Sequence, residues 1–108
     1  MIQKEQKELL IKAIQKHGVV HQLDLVIEEA AELIQAINKA KRHGIVYPNY
    51  ICAPSNVSSD DETDAYENLC SELADVKIMI AQLEILLKSS YVKDYVEIKL
   101  ERLSRSLK

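Results

Sequence analysis

Four carboxylates in this chain sit where carboxylates are hard to keep: Glu29 and Glu32 in one apolar helical stretch, Glu72 and Asp75 in another. On a helix the surface neighbours of residue i are i±3 and i±4. That spacing puts Glu29 among Leu25, Val26 and Leu33, with Glu32 one turn on, and Glu72 among Asn68, Leu69 and Val76, with Asp75 one turn on. Asp75 itself lies beside Ile78 and Met79. An ionised carboxylate in apolar surroundings must neutralise, find cations or face a wet cleft, because burying it unpaired costs several kcal/mol. No Lys or Arg falls in these neighbour sets. Four hard oxygen donors without a local base are what Mg2+ or Mn2+ requires, since these ions take oxygen ligands in near-octahedral geometry. Phosphate oxygens and water complete such a shell, which points to phosphate chemistry.

Two acidic pairs share a cation only if the fold brings them level, and an antiparallel helical hairpin does so. From Glu32 to the end of its helix, and from the start of the next helix to Glu72, each arm is roughly a dozen residues, about 18 Å at the helical rise. The pairs therefore face each other.

The elements that must position them follow from hydrophobic periodicity. A first helix is predicted over about Ile2 to Lys16, with Leu9, Leu10, Ala13 and Ile14 on one face and Gly18 as its left-handed stop. The second runs from about Val20 to Arg42, where Leu23, Val26, Ile27, Ala30, Leu33, Ile34 and Ile37 keep a helical period; Lys39, Lys41, Arg42 and Gly44 suit its C-terminus. Residues 45–59 lose the period and carry prolines, asparagines and serines, a connecting loop. Ser59 and Glu62 read as a capping box for the third helix, about Asp60 to Lys88, with Leu69, Leu73, Val76, Met79, Ile80, Leu83 and Leu87 as its stripe. Ser90 is placed to cap a fourth helix that sets Val92, Val96, Leu100, Leu103 and Leu107 against the rest. The expectation is one all-α domain over 1–108, a four-helix, bundle-like fold with a central antiparallel helix pair.

Composition agrees and excludes several classes. The 108 residues form one domain with limited surface to bury alone, so a homodimer or homotetramer is expected. Only two Gly and two Pro leave few breaks in a helical pattern. A net charge of −3 argues against binding a nucleic-acid polymer, which needs a basic face. Cys52 and Cys70 have no zinc-like spacing and are expected to stay reduced. No apolar run approaches the roughly 18 residues that span a bilayer, and the start of the chain is charged; a cytoplasmic protein without membrane association is the expectation.

The strings Glu28-Glu29-Ala30-Ala31-Glu32-Leu33 and Glu72-Leu73-Ala74-Asp75-Val76 resemble the E-E-x-x-E and E-x-x-D signature of the MazG-like all-α nucleoside triphosphate pyrophosphohydrolases, a likeness covering the second to fourth helices. The resemblance implies Mg2+, with Mn2+ as a substitute, bound by Glu29, Glu32, Glu72 and Asp75. It makes Glu28 an auxiliary acid that binds metal or orients water, so Glu28 and Glu29 are the candidate catalytic acids. It implies cleavage of a nucleoside triphosphate between the α and β phosphates to a monophosphate and pyrophosphate. Lys99-Leu100-Glu101-Arg102-Leu103 resembles the K-x-x-K-N element that contacts phosphates in some relatives, giving Lys99 and Arg102 as candidate phosphate ligands, although Leu103 stands where the relatives have Asn. The connection between the acidic pairs, 39 residues from 33 to 71, is longer than in many members, and Tyr47 and Tyr50 within it belong either to a lid or to an insertion.

Competing readings accompany each residue. Lys99 and Arg102 also suit a solvated helix face. Gln22 and His21 are candidate base-reading residues or capping or surface residues, and Tyr47, Tyr50, Tyr91 and Tyr95 either stack on a base or simply pack. A non-enzymatic helical oligomerisation or interaction module explains the amphipathic helices without explaining the acids. A carboxylate-bridged redox bundle expects Glu-x-x-His, and none of His17, His21 or His43 stands three residues after a Glu.

Overall fold

A computed structural model describes residues 3–51 and 60–108 of the chain. It is all-α, with α1 over Lys4–His17, α2 over Val19–Arg42, α3 over Asp60–Leu86 and α4 over Ser89–Ser106. The fold is bundle-like, built on α2 and α3, which make its most extensive packing. α1 lies against both, and α4 touches α3 alone. Among the described residues no helix is long and apolar enough to cross a membrane.

Both glycines punctuate the chain as expected. Gly18, at φ +88°, is the single residue between α1 and α2, and its N–H closes α1 on the Ile14 carbonyl at 2.8 Å. Gly44, at φ +71°, ends α2. Its N–H donates to the Lys41 carbonyl at 3.2 Å, and the Ile45 N–H donates to the Ala40 carbonyl at 3.4 Å. This pair of bonds is the Schellman pattern, in which a residue in the left-handed region reverses the chain and satisfies orphan carbonyls. Ile45 is thereby turned inward onto Ala40 and Ala65, with Tyr66 and Leu69 packed beside them, forming the core at the loop end of the hairpin. Beyond it Val46 and Ile51 pair as an isolated antiparallel bridge, and Tyr47 stacks on Tyr50 at 4.9 Å between ring centroids. Ser59, and with it the predicted capping box, lies outside the described residues, as does Cys52; the Cys70 thiol is free.

The seam between α2 and α3 uses residues alternately four and three apart. On α2 these are Gln22, Val26, Glu29, Leu33, Ala36 and Ala40; on α3 they are Ala65, Leu69, Glu72, Val76, Met79 and Leu83, all buried or half-buried. At the end far from the loop, Gln22 and Gln82 are 3 % and 2 % exposed, and the Gln22 Nε2 donates to Gln82 Oε1 at 3.1 Å. The Gln22 Oε1 faces His21 Nδ1 at 2.8 Å. These contacts correct the expectation that Gln22 caps a helix or lies on the surface: it is an interior residue bonded across the hairpin.

Several apolar stripes are also rotated from their predicted place. Ile27 and Ile34 of α2 are 67 % and 60 % exposed, because Gln22 and Glu29 occupy seam positions and push these apolar neighbours outward. Leu9 on α1 and Leu73, Ile80 and Leu87 on α3 are exposed too. On α4 no residue is buried: of the predicted stripe Val92 is half-buried, while Val96, Leu100, Leu103 and Leu107 are exposed and do not pack against the described residues of the other helices as predicted. The helix also starts earlier than Ser90 would allow as a cap: Lys88 takes the N-cap position, without a side-chain cap bond.

Candidate metal centre

The Gln22–Gln82 bond fixes the register of the hairpin. Seven residues inward from each glutamine, Glu29 on α2 stands level with Asp75 on α3, and three further on Glu32 stands level with Glu72. The antiparallel arrangement thus does what equal helical arms require. Each of the four acids offers a carboxylate oxygen, and these four oxygens all lie within 4.8 Å of one another. Glu29, Glu72 and Asp75 are half-buried and Glu32 is exposed, so the group opens to solvent on the Glu32 side.

The electrostatics of the group are unfavourable as it stands. Burial raises the Glu29 pKa above the ordinary glutamate value, and the charges of Glu32, Asp75 and Glu72 with a hydrogen bond to Glu32 raise it further. Burial likewise raises the Glu72 pKa, followed by the charge of Glu32, the hydrogen bond to Glu32 and the charge of Asp75. Glu29 Oε2 and Glu72 Oε2 are buried with no hydrogen-bond partner. Buried polar atoms are normally satisfied, so two orphaned carboxylate oxygens on members of one acidic group call for a partner that no described residue supplies. Among the described residues none of the four acids is paired with a Lys, Arg or His. An all-oxygen donor set of this charge fits a hard divalent cation such as Mg2+ or Mn2+.

Of the other candidates, Glu28 is exposed on α2, one residue before Glu29 and outside the four-acid group. Lys99 and Arg102 are exposed on α4, which touches α3 alone, and neither lines the space beside Glu32 and Glu72. Gln22 is spent on Gln82 and His21, two turns from Glu29. Sequence reasoning missed a cavity of about 420 Å³ beside the acids, lined by Glu32, Gln35, Ala36, Lys39, Arg42, Asn68 and Glu72. The i+3, i+4 and i+7 steps from Glu32 to Gln35, Ala36 and Lys39 were the available signal, since they continue the acidic face along α2. No protein-family model, curated protein or solved structure matches the chain.

Proposed function

We propose that this chain is a Mg2+-dependent nucleoside triphosphate pyrophosphohydrolase that converts a nucleoside triphosphate to a monophosphate and pyrophosphate. The observation that carries the reading is the convergence of Glu29, Glu32, Glu72 and Asp75 from two antiparallel helices, with their oxygens within 4.8 Å of one another. Two of the buried oxygens in this group lack a protein partner. The order and spacing of these acids, and their likeness to the E-E-x-x-E and E-x-x-D signature, supply the substrate class.

In the proposed reaction a water oxygen bonds to the α-phosphorus and the bond from that phosphorus to the α–β bridging oxygen breaks. The electron pair leaves with pyrophosphate, and the proton of the water passes to a carboxylate. Glu29, Glu32, Glu72 and Asp75 would hold a Mg2+, which when bound would neutralise the polyphosphate and the charge that develops on the leaving group. Glu29, paired with Glu28 in the E-E-x-x-E string, is the candidate to receive the proton. The likeness gives exposed Glu28, beside it, the orienting of the attacking water.

Incubation with a nucleotide panel and Mg2+ is expected to release pyrophosphate and monophosphate together, and Glu29→Gln or Asp75→Asn to abolish that release while circular dichroism stays helical. Release of single phosphate only, turnover that ignores the metal, or wild-type turnover in either variant would contradict the assignment.

The same reading includes self-association. The radius of gyration is 17.2 Å, against about 13 Å for a compact domain of this length. Leu9, Leu10, Ile78, Ile80, Ile85 and Leu87 line an open groove between α1 and α3, and the apolar face of α4 is uncovered. A second copy of the chain would cover these faces. The exposed α4 face is also the observation favouring the second reading, a helical interaction module without catalysis, which predicts no response to divalent metal.

A further inference from the structure

The cavity beside the acids has two electrical ends. At one end are Glu32 and Glu72; at the other are Lys39 and Arg42, with Ala36 as its buried floor and Asn68 on the α3 side. It is an open cleft of about 420 Å³, wet on its outer side. Lys39 and Arg42 follow Glu32 by seven and ten residues, about 10 and 15 Å along the helix axis. Side chains on a helix lean towards its N-terminus, so both lean back towards Glu32. Neither has an ion-pair partner among the described residues, although carboxylates line the same space.

Basic residues at a helix C-terminus have an ordinary explanation, since they complement its dipole. That explanation covers Lys39, Lys41 and Arg42 alike. It does not explain why Lys39 is half-buried, nor why Lys39 and Arg42, one turn apart on the same face, line the cavity while Lys41 does not. Two unpaired cations one cavity-length from a cation-demanding acidic group match a ligand that is anionic along its whole length.

Resting on the pyrophosphohydrolase reading, we propose that Lys39 and Arg42 bind the terminal diphosphate of the substrate, the portion that leaves as pyrophosphate. The substrate then lies along the hairpin in one direction, with its terminal phosphates towards Gly44 and its nucleoside towards the Gln22 end.

The test is calorimetric titration of inorganic pyrophosphate, and separately of a nucleoside monophosphate, into protein supplied with Mn2+. The wild type is compared with Arg42→Gln, with Lys39→Gln/Arg42→Gln, with the charge-keeping Lys39→Arg/Arg42→Lys, and with Lys41→Gln as the control at the same helix end. Two charge-assisted contacts are lost in the double glutamine variant, so its pyrophosphate affinity is expected to fall about ten- to a hundredfold. Monophosphate affinity stays within about twofold, and Mn2+ affinity is unchanged or higher. Arg42 is exposed, so Arg42→Gln keeps the fold even if the double variant does not, and alone is expected to weaken pyrophosphate by about tenfold. The charge-keeping swap retains more affinity than the double glutamine variant. Pyrophosphate binding within twofold of wild type in Arg42→Gln and the double variant, or an equal loss in Lys41→Gln, overturns the assignment of these two residues alone. A wild-type chain that binds no Mn2+ overturns the metal site, and this proposal with it.

Discussion

The hairpin register rests on one buried amide pair, and breaking it has a calculable effect. Gln22→Leu removes the donor to Gln82 Oε1, a 3.1 Å bond between side chains that are 3 % and 2 % exposed. Leucine has nearly the volume of glutamine, so packing changes little and the stranded Gln82 amide dominates. A buried polar group left without its partner destabilises by about 1 to 3 kcal/mol. For a domain of this size each kcal/mol moves the melting temperature by roughly 4 to 8 °C, so a fall of roughly 5 to 20 °C is expected. Gln82→Leu should do the same by stranding the Gln22 Nε2. The double variant Gln22→Leu/Gln82→Leu removes both amides and sets two apolar side chains across the seam, and it should recover most of the loss. Thermal melts of the four proteins form a double-mutant cycle, and a coupling of at least about 1 kcal/mol is predicted. Single variants that each lose less than about 0.5 kcal/mol and add independently would refute the claim that this pair sets the register.

Two further outcomes follow from the acids and the exposed faces. Glu29 and Glu72 have pKa values raised by folding, and a carboxyl of that kind stabilises the fold fully below its unfolded value and loses that contribution as pH rises through the folded value. In metal-free protein the melting temperature of wild type relative to Glu29→Gln/Glu72→Gln should therefore drop as pH is raised from about 4.5 towards neutrality; a relative rise over that window would show that the acids are not crowded. Sedimentation at micromolar concentration should give a species heavier than the 12.3 kDa chain, and a monomer there would remove the proposed cover for α4 and the α1–α3 groove.

Much of this arrangement is legible in the sequence because helix geometry is local. Glycines at the ends of α1 and α2, two long periodic stretches and equal arms on either side of a loop suffice to bring Glu29, Glu32, Glu72 and Asp75 together. What periodicity does not report is which side of an apolar helix faces the partner. Ile27 and Ile34 share a period with Val26 and Leu33, yet the polar Gln22 and Glu29 hold seam positions and leave the two isoleucines outside. The α4 stripe reads as packed for the same reason, although none of its described residues is buried. Lys39 and Arg42 read as ordinary C-terminal cations, because only the closing of α3 over α2 makes the cavity they line.

The central claim is that the four acids together demand a divalent cation, and thermal melting against Mg2+ or Mn2+ tests it most directly. Metal that binds only the folded chain stabilises it by about 2.7 kcal/mol at a hundredfold excess over Kd, which is a rise of roughly 10 °C or more for a domain of this size. Wild type should show that rise, saturating with metal, and Glu29→Gln and Asp75→Asn should lose it. A wild-type melting temperature that does not move with either ion would contradict it.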